Sequence, residues 1–344
     1  MKPLSTRSLT TALLLLSAAL VPAYATTPGG DATIRAPAGA SEIVIRTTAR
    51  LAGAIHSLTW NGKEFVDSFD HGRQIQSASN LDNGTPILAE TFNPTEAGSR
   101  WDGHGDGSTS RLLHLLAKDN ALQSTTQMAF WLRPGEKSGA NLAKNATAVS
   151  DHLLTKRVRI GCMGLPHAIA YDVSFSLPLG ERHERAVFEA LTGYMPAEFE
   201  RFMQFNEQSG ELEPVSDGPG ELPHPVVLSV PNGTHAMGIY APPQTVRNTT
   251  GPTYGRFRFH AEKVVKWNCV FRLHDRAGIA PGEYSFHMFV LVGNRDDVRD
   301  SLRALHRQFS ATGQRKAGGY SSAEADNVLE RHTASAAPVG RSTK

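Results

Sequence analysis

The sequence predicts an all-β protein, a large antiparallel β-sandwich closed by one C-terminal helix. Three observations carry this. Short runs rich in Val, Ile, Phe and Tyr recur along the chain, punctuated by Gly, Pro, Asn and Asp. An Asn61-Gly62 pair separates two such runs, a strong hairpin signal because both residue types tolerate positive φ. Only one stretch carries a convincing helical period.

In chain order, residues 42–48 (EIVIRTT) alternate, and 54–60 lead through Asn61-Gly62 into 63–66. Further strands are expected over 122–132, 152–160, 168–177, 186–195 and 198–205. The C-terminal half adds 225–230, 236–240, 263–273 and 284–292. The helix follows Asn294, with Asp296 and Asp297 in its first turn and Val298, Leu302, Leu305 and Phe309 on one face. Its expected task is to cover a sheet face or edge.

Residues 311–344 read as a disordered tail and 26–40 as a flexible, loop-like segment. Residues 135–150 read as a long loop. No linker divides the remainder, so 41–310 are expected to form a single domain.

Residues 1–25 have the pattern of a signal peptide: Lys2 and Arg7, an apolar stretch over 9–21, then Ala23-Tyr24-Ala25. The stretch is shorter than the ~20 residues of a spanning helix. The mature chain is therefore expected to be soluble and exported, to the periplasm or beyond. The whole chain has 35 Lys+Arg against 33 Asp+Glu, and Lys2 and Arg7 account for the excess. A mature chain of balanced charge gives no global reason to expect nucleic acid or a polybasic membrane contact.

Two cysteines, Cys162 and Cys269, could pair in an oxidising compartment or remain buried thiols. Fourteen histidines invite a metal, but no local chelate such as His-x-His occurs, and ligands would have to gather across strands. No phosphate loop, dinucleotide fingerprint or nucleophile elbow is present, so no cofactor is expected. Asp102-Gly103-His104-Gly105-Asp106-Gly107 begins like a calcium loop but has Leu113 where the closing Glu belongs, and reads better as a flexible glycine loop.

Three polar constellations could carry chemistry. Asp70-His71-Gly72-Arg73-Gln74-Ile75-Gln76 crowds an acid, an imidazole, a guanidinium and two amides around one glycine. Glu90-Thr91-Phe92-Asn93-Pro94-Thr95-Glu96 runs on to Trp101, a flat ring suited to stacking on a sugar. Asp217-Gly218-Pro219-Gly220-Glu221-Leu222-Pro223-His224 presents Glu221 and His224 from a rigid turn. Each can also be read as a self-bonded turn.

The run from Ala54 to Phe65 (AIHSLTWNGKEF) resembles the opening hairpin of galactose-mutarotase-like super-sandwich proteins. Gly238-Ile239-Tyr240 and Pro281-Gly282-Glu283-Tyr284 are compatible strand starts, so the resemblance spans about residues 40–293. That superfamily includes sugar epimerases and the sandwich domains of polysaccharide lyases and glycoside hydrolases. The resemblance implies a carbohydrate ligand more than a reaction.

The leading expectation is an exported carbohydrate-active enzyme, a glycoside hydrolase or polysaccharide lyase. His71 and Glu96 would be its acid/base pair and Glu221 a reserve carboxylate, with Arg73, Gln74, Asn93, Trp101 and His224 binding substrate. The alternatives are a non-catalytic carbohydrate-binding or cell-envelope interaction module and a structural envelope protein.

Overall fold

The structure is a computed structural model that describes residues 28–84, 86–246 and 248–316. The expected signal peptide and residues 317–344 of the expected tail lie outside the described residues, whereas residues 311–316 of that tail continue the C-terminal helix. Strands β1 (Ala32–Ala38), β2 (Ser41–Thr47), β3 (Ile55–Trp60), β4 (Lys63–Glu64), β5 (Ile75–Leu81) and β6 (Pro94–Thr95) come first. Next are β7 (Arg111–Lys118), β8 (Ala121–Phe130), the short pair β9 (Lys137–Ser138) and β10 (Asn141–Leu142), β11 (Val149–Cys162) and β12 (Leu165–Leu177). Then come β13 (His183–Pro196), β14 (Arg201–Phe205), β15 (Leu212–Pro214), β16 (Gly220–Leu222), β17 (Val226–Ser229) and β18 (Ala236–Tyr240). The series ends with β19 (Thr249–Phe259), β20 (Val264–Ile279), β21 (Gly282–Gly293) and helix α1 (Arg295–Lys316).

All pairings are antiparallel, and they form the two walls of a large β-sandwich. The first wall runs β1-β2-β3-β5-β13-β20-β19-β16. The second runs β7-β8-β11-β12-β21-β18-β17-β14-β15. Short β6 pairs with both, through Ala78 of β5 and through Ala129 and Phe130 of β8.

Alternation explains the core. On β20 the inward residues Val265, Trp267, Cys269, Phe271 and Leu273 are buried, and they share one apolar cluster with Leu154, Val158, Ile169, Tyr171 and Val173 of the second wall. Phe271 stacks on Phe286 at 4.5 Å, and Phe188 meets Phe175 at 4.8 Å, so the walls interlock ring against ring. Gly193 stands opposite Trp267, where a β-carbon would lie 2.4 Å from the indole.

Helix α1 covers the outer side of the second wall. Val298, Leu302 and Leu305 are fully buried against Phe205, Val227, Phe289 and Leu291. Asn294 caps it by accepting from the amides of Asp296 and Asp297, while Asp297 accepts from the Asn294 amide. No helix among the described residues is long and apolar enough to cross a membrane.

Among the described residues, nine strands lie where the sequence predicts none, the long ones being β1, β5, β7 and β19. The segment expected to be flexible contains β1, paired residue for residue with β2 and burying Ile34 and Ala38. Its small side chains and Pro37, tolerated beside an edge, obscure the alternation. β5 is hidden because serines fill its core face: Ser77 and Ser79 are buried, and Ser77 donates to the Ala190 carbonyl. Cys162 and Cys269 are free thiols, and burial pushes Cys162 up to about 11.

A buried ion pair ties the walls together. Glu96, just after β6, is 0% exposed, and its Oε1 is held by the ammonium of Lys156, which is 1% exposed on β11. Glu96 Oε2 accepts from the Ser77 amide of β5 at 3.0 Å, and Lys156 also donates to Gly53 O at 3.2 Å. Removing one partner strands the other charge in the interior, at a cost of about 3–5 kcal/mol. Lys156→Met is therefore expected to lower unfolding free energy in urea by that amount, and Lys156→Met with Glu96→Gln by distinctly less than the sum of the single changes.

Candidate functional site

The first two polar constellations do converge, but their hydrogen bonds point inward. His71 is buried, with Nδ1 2.8 Å from Gly103 O and Nε2 2.9 Å from Arg50 O. It therefore links three loops through main-chain oxygens. Gln76 accepts from the Ala97 amide and donates to Gly72 O, joining the two constellations. Glu96 is engaged by Lys156 and the Ser77 amide, Asn93 donates to Ser79 O, and buried Gln74 donates to Asp70 O. Arg73 pairs with Asp70 at 3.2 Å and lies near Asp67 at 3.9 Å. Among the described residues, the hydrogen-bond partners of the His71 ring are main-chain oxygens and no carboxylate.

Asp102 shows why the glycine loop is no calcium loop. Its Oδ2 accepts from the amides of Ser99 and Thr109, and its Oδ1 from the Thr109 hydroxyl. Trp101 beside it is 64% exposed, with the Arg133 guanidinium 4.5 Å above its ring. The third constellation lies apart, on β16 and the turn before it.

Glu221 and His224 lead to a different surface. Glu221 Oε1 binds Arg272 at 2.6 Å and Oε2 accepts from the Thr253 hydroxyl at 2.6 Å. The ring nitrogen Nδ1 of His224 is buried without a partner. Arg272, Thr253 and Glu221 belong to the outward face of the first wall, where strands β5, β13, β20, β19 and β16 lie side by side.

That face is built by the same alternation that builds the core. On β20, Lys266, Asn268, Val270 and Arg272 point away from Trp267 and Cys269. On β13 the register shifts between Glu189 and Leu191, so Ala190 and Leu191 both enter the core. This bulge leaves Glu189 and Thr192 on one side, and the Thr192 hydroxyl donates to Glu189 at 2.9 Å. Lys266 binds the same carboxylate at 3.1 Å. Gly255 completes the row: its amide donates to Asn268 Oδ1 at 2.9 Å, and a β-carbon there would lie 2.1 Å from that oxygen.

One end of the row is aromatic. Phe259 stacks on Phe257 at 6.2 Å and on Tyr194 at 6.4 Å, with interplanar angles of 14° and 21°. Lys266 lies 5.2 Å from the Tyr194 ring and 5.4 Å from Phe257. The turn carrying Arg73 and Gln74 borders this end, since Tyr194 donates to Gln74 O and Arg73 reaches Glu262 O.

Burial alone would raise Glu189, but the charge and hydrogen bond of Lys266, with bonds from Thr192 and Asn268, hold it below its ordinary value. Burial likewise works against the Lys266 charge, and Glu189 overcomes it and raises Lys266. Glu189 is therefore a carboxylate and Lys266 an ammonium throughout the neutral range.

A second grouping escapes sequence reading altogether. His152 on β11, Glu181 in the loop before β13 and His183 on β13 bring their ligand atoms within 4.8 Å of one another. Glu181 Oε2 lies 2.7 Å from His152 Nε2 and 2.8 Å from His183 Nε2. Burial alone would raise Glu181, but the hydrogen bonds from the two imidazoles outweigh it and hold the carboxyl down to about 2. These three could hold a metal ion. No local spacing announces them, because the contact is made across the sandwich, between a strand of one wall and a strand and loop of the other.

The Glu189–Lys266 pair sets a pH dependence. The folded Glu189 value lies below its ordinary 4.5, so its contribution to stability is complete above that pH and is lost as pH falls through the lowered value. Lys266 lies above its ordinary 10.5, so its contribution is complete below that pH and is lost as pH rises through the raised value. The melting-temperature gap between the wild type and Glu189→Gln is expected to stay constant between these limits and to narrow in stronger acid. A gap that widens in acid would contradict the assignment.

No family model matches the chain, and no curated protein matches it. Among solved structures it is similar to the Slr1438 protein from Synechocystis sp. PCC 6803, with TM-score 0.42 and 10% identity over 79% of this chain and 99% of that one. It is also similar to a protein assigned as an aldose 1-epimerase from Klebsiella pneumoniae, with TM-score 0.40 and 10% identity over 78% of this chain and 84% of that one. A heparan sulfate lyase HepC mutant from Pedobacter heparinus gives TM-score 0.39 and 10% identity over 77% of this chain, which spans only 35% of that enzyme. Likenesses of this size carry no argument about the chemistry of this chain.

Proposed function

We propose that this is an exported carbohydrate-recognising protein that holds a poly- or oligosaccharide across the outward face of its first wall. The observation that carries this reading is the partly exposed pair of Glu189 and Lys266, held from beneath by buried Thr192 and Asn268 and ending in the stacked rings of Tyr194, Phe257 and Phe259. An ionised carboxylate accepts two hydroxyl donors in the spacing of a sugar ring, an ammonium donates, and flat rings receive the apolar face of the sugar. Arg272, fixed by Glu221 and Thr253, adds a planar donor suited to a uronate carboxylate. Export rests on the leader pattern of residues 1–25.

The state of Glu189 favours recognition over turnover. Glycoside hydrolysis requires one carboxyl to be protonated and the other ionised. A carboxylate held below its ordinary range is neither a good acid nor a strong base for elimination. The hydrolase and lyase readings therefore stand second, with Glu189 and Glu221 as their carboxylates.

Calorimetry of residues 26–344 against a panel of neutral and uronate oligosaccharides tests this. One or more members are expected to bind without product formation, and Glu189→Gln is expected to weaken that binding by about 10-fold or more, the scale of a charge-assisted hydrogen bond. New reducing ends would instead establish hydrolysis, and unsaturated-uronate absorbance would establish elimination. Affinity indifferent to Glu189→Gln and Arg272→Ala would remove this face from the site.

A further inference from the structure

We propose that His152, Glu181 and His183 bind one divalent transition-metal ion of the zinc class, and that this ion fastens the two walls together at one end of the sandwich. The proposal is independent of the carbohydrate reading, which uses none of these residues.

The donor set comes first. Two imidazole nitrogens and one carboxylate oxygen suit zinc, cobalt or manganese, whereas calcium and magnesium prefer oxygen donors throughout. The three atoms lie within 4.8 Å of one another. Neighbouring ligands around a tetrahedral ion with bonds of about 2.0 Å stand about 3.3 Å apart, so the ion is admitted when Glu181 retreats from the imidazoles and the two rings draw together around it. Glu181 is partly exposed, which leaves an approach for the ion and for a water at the fourth position.

The surroundings supply a second, separate argument. Asp82 Oδ1 stands 3.3 Å from His183 Nδ1, and its other oxygen is fixed by the amides of Glu184 and Arg185. A carboxylate on the far nitrogen of a histidine sets its tautomer and aims the near nitrogen at a metal. His183 thus has a carboxylate at each ring nitrogen. Such a ring is satisfied by carrying two protons, or by keeping one for Asp82 and giving Nε2 to a metal.

The local charge agrees. Asp82 and Glu181 face His152 and His183, and the nearby ammonium of Lys144 is turned to the main-chain oxygens of Asp82, Gly84 and Pro86. Phe92 and Phe130 pack around the imidazoles and shield them from water. On binding, each imidazole presents an unprotonated Nε2 to the ion, and any proton held there passes to solvent.

The expected consequence is mechanical. His152 belongs to β11 of the second wall and His183 to β13 of the first, so one ion bonds both. Chelator-stripped protein, titrated with Zn2+ or Co2+ alone, is expected to take up one ion per chain. Its melting temperature should rise by about 5 °C at a hundredfold excess over Kd. Co2+ should develop the visible bands of a four-coordinate site and shift the imidazole N–H resonances of two histidines. Glu181→Gln should weaken Zn2+ binding at least tenfold, and Asp82→Asn, which does not touch the ion, by about 10–100-fold. Glycan binding should be unchanged in both variants, so the two proposals can fail separately. Absence of saturable uptake by the wild type, six-coordinate cobalt without histidine shifts, or unchanged Zn2+ affinity in His152→Gln and His183→Gln would each overturn the proposal. The wild-type cobalt spectrum decides the matter even if a variant fails to fold.

Discussion

The ammonium of Lys156 is the interaction on which closure of the sandwich depends. It rises from β11 in the second wall and touches Glu96, beside the short strand that pairs with both walls, and Gly53 O, just before β3 of the first. The phenol of Tyr171 is buried in the same interior without a hydrogen-bond partner, and burial and the Glu96 charge push it well above its ordinary value. A charge pair contributes little net stability over a well-packed apolar substitute, yet it is intolerant of misplacement. Its effect here is to fix where the loop after β6 crosses between the walls. That loop carries Trp101 outward and anchors the turn of His71.

The outward face depends on this arrangement only indirectly. Glu189, Thr192, Lys266 and Asn268 are positioned by strand pairing and by one bulge, with no loop involved. Side chains presented from paired strands hold their spacing better than side chains on loops, which suits recognition of a rigid ligand. The His152–Glu181–His183 grouping joins a strand residue of each wall with a loop residue, so its geometry reports whether the walls are correctly apposed.

The strand-rich fold was legible because strands such as β12 and β20 alternate strongly, and helix α1 because its cap and apolar face agree. Strand β5 was not legible, since buried serines replace the apolar half of the pattern. The polar crowding at His71 and Glu96 was visible, but sequence spacing says nothing about direction, and these groups spend their hydrogen bonds on main chain and on Lys156. Glu189 and Lys266 were invisible for the opposite reason. Each is the polar member of an alternating strand, a position that ordinarily just faces water. His152 and His183 are far apart in sequence, and only the juxtaposition of β11 with β13 brings them together.

The bulge at Ala190 and Leu191 has a consequence for how this surface can change over time. Because both residues enter the core, the backbone irregularity is anchored by packing as well as by the Thr192–Glu189 hydrogen bond. Outward chemistry and fold are thereby written on opposite sides of the same strands. The inward rows alone keep the walls packed, so the outward rows can differ in chemistry over an unchanged core.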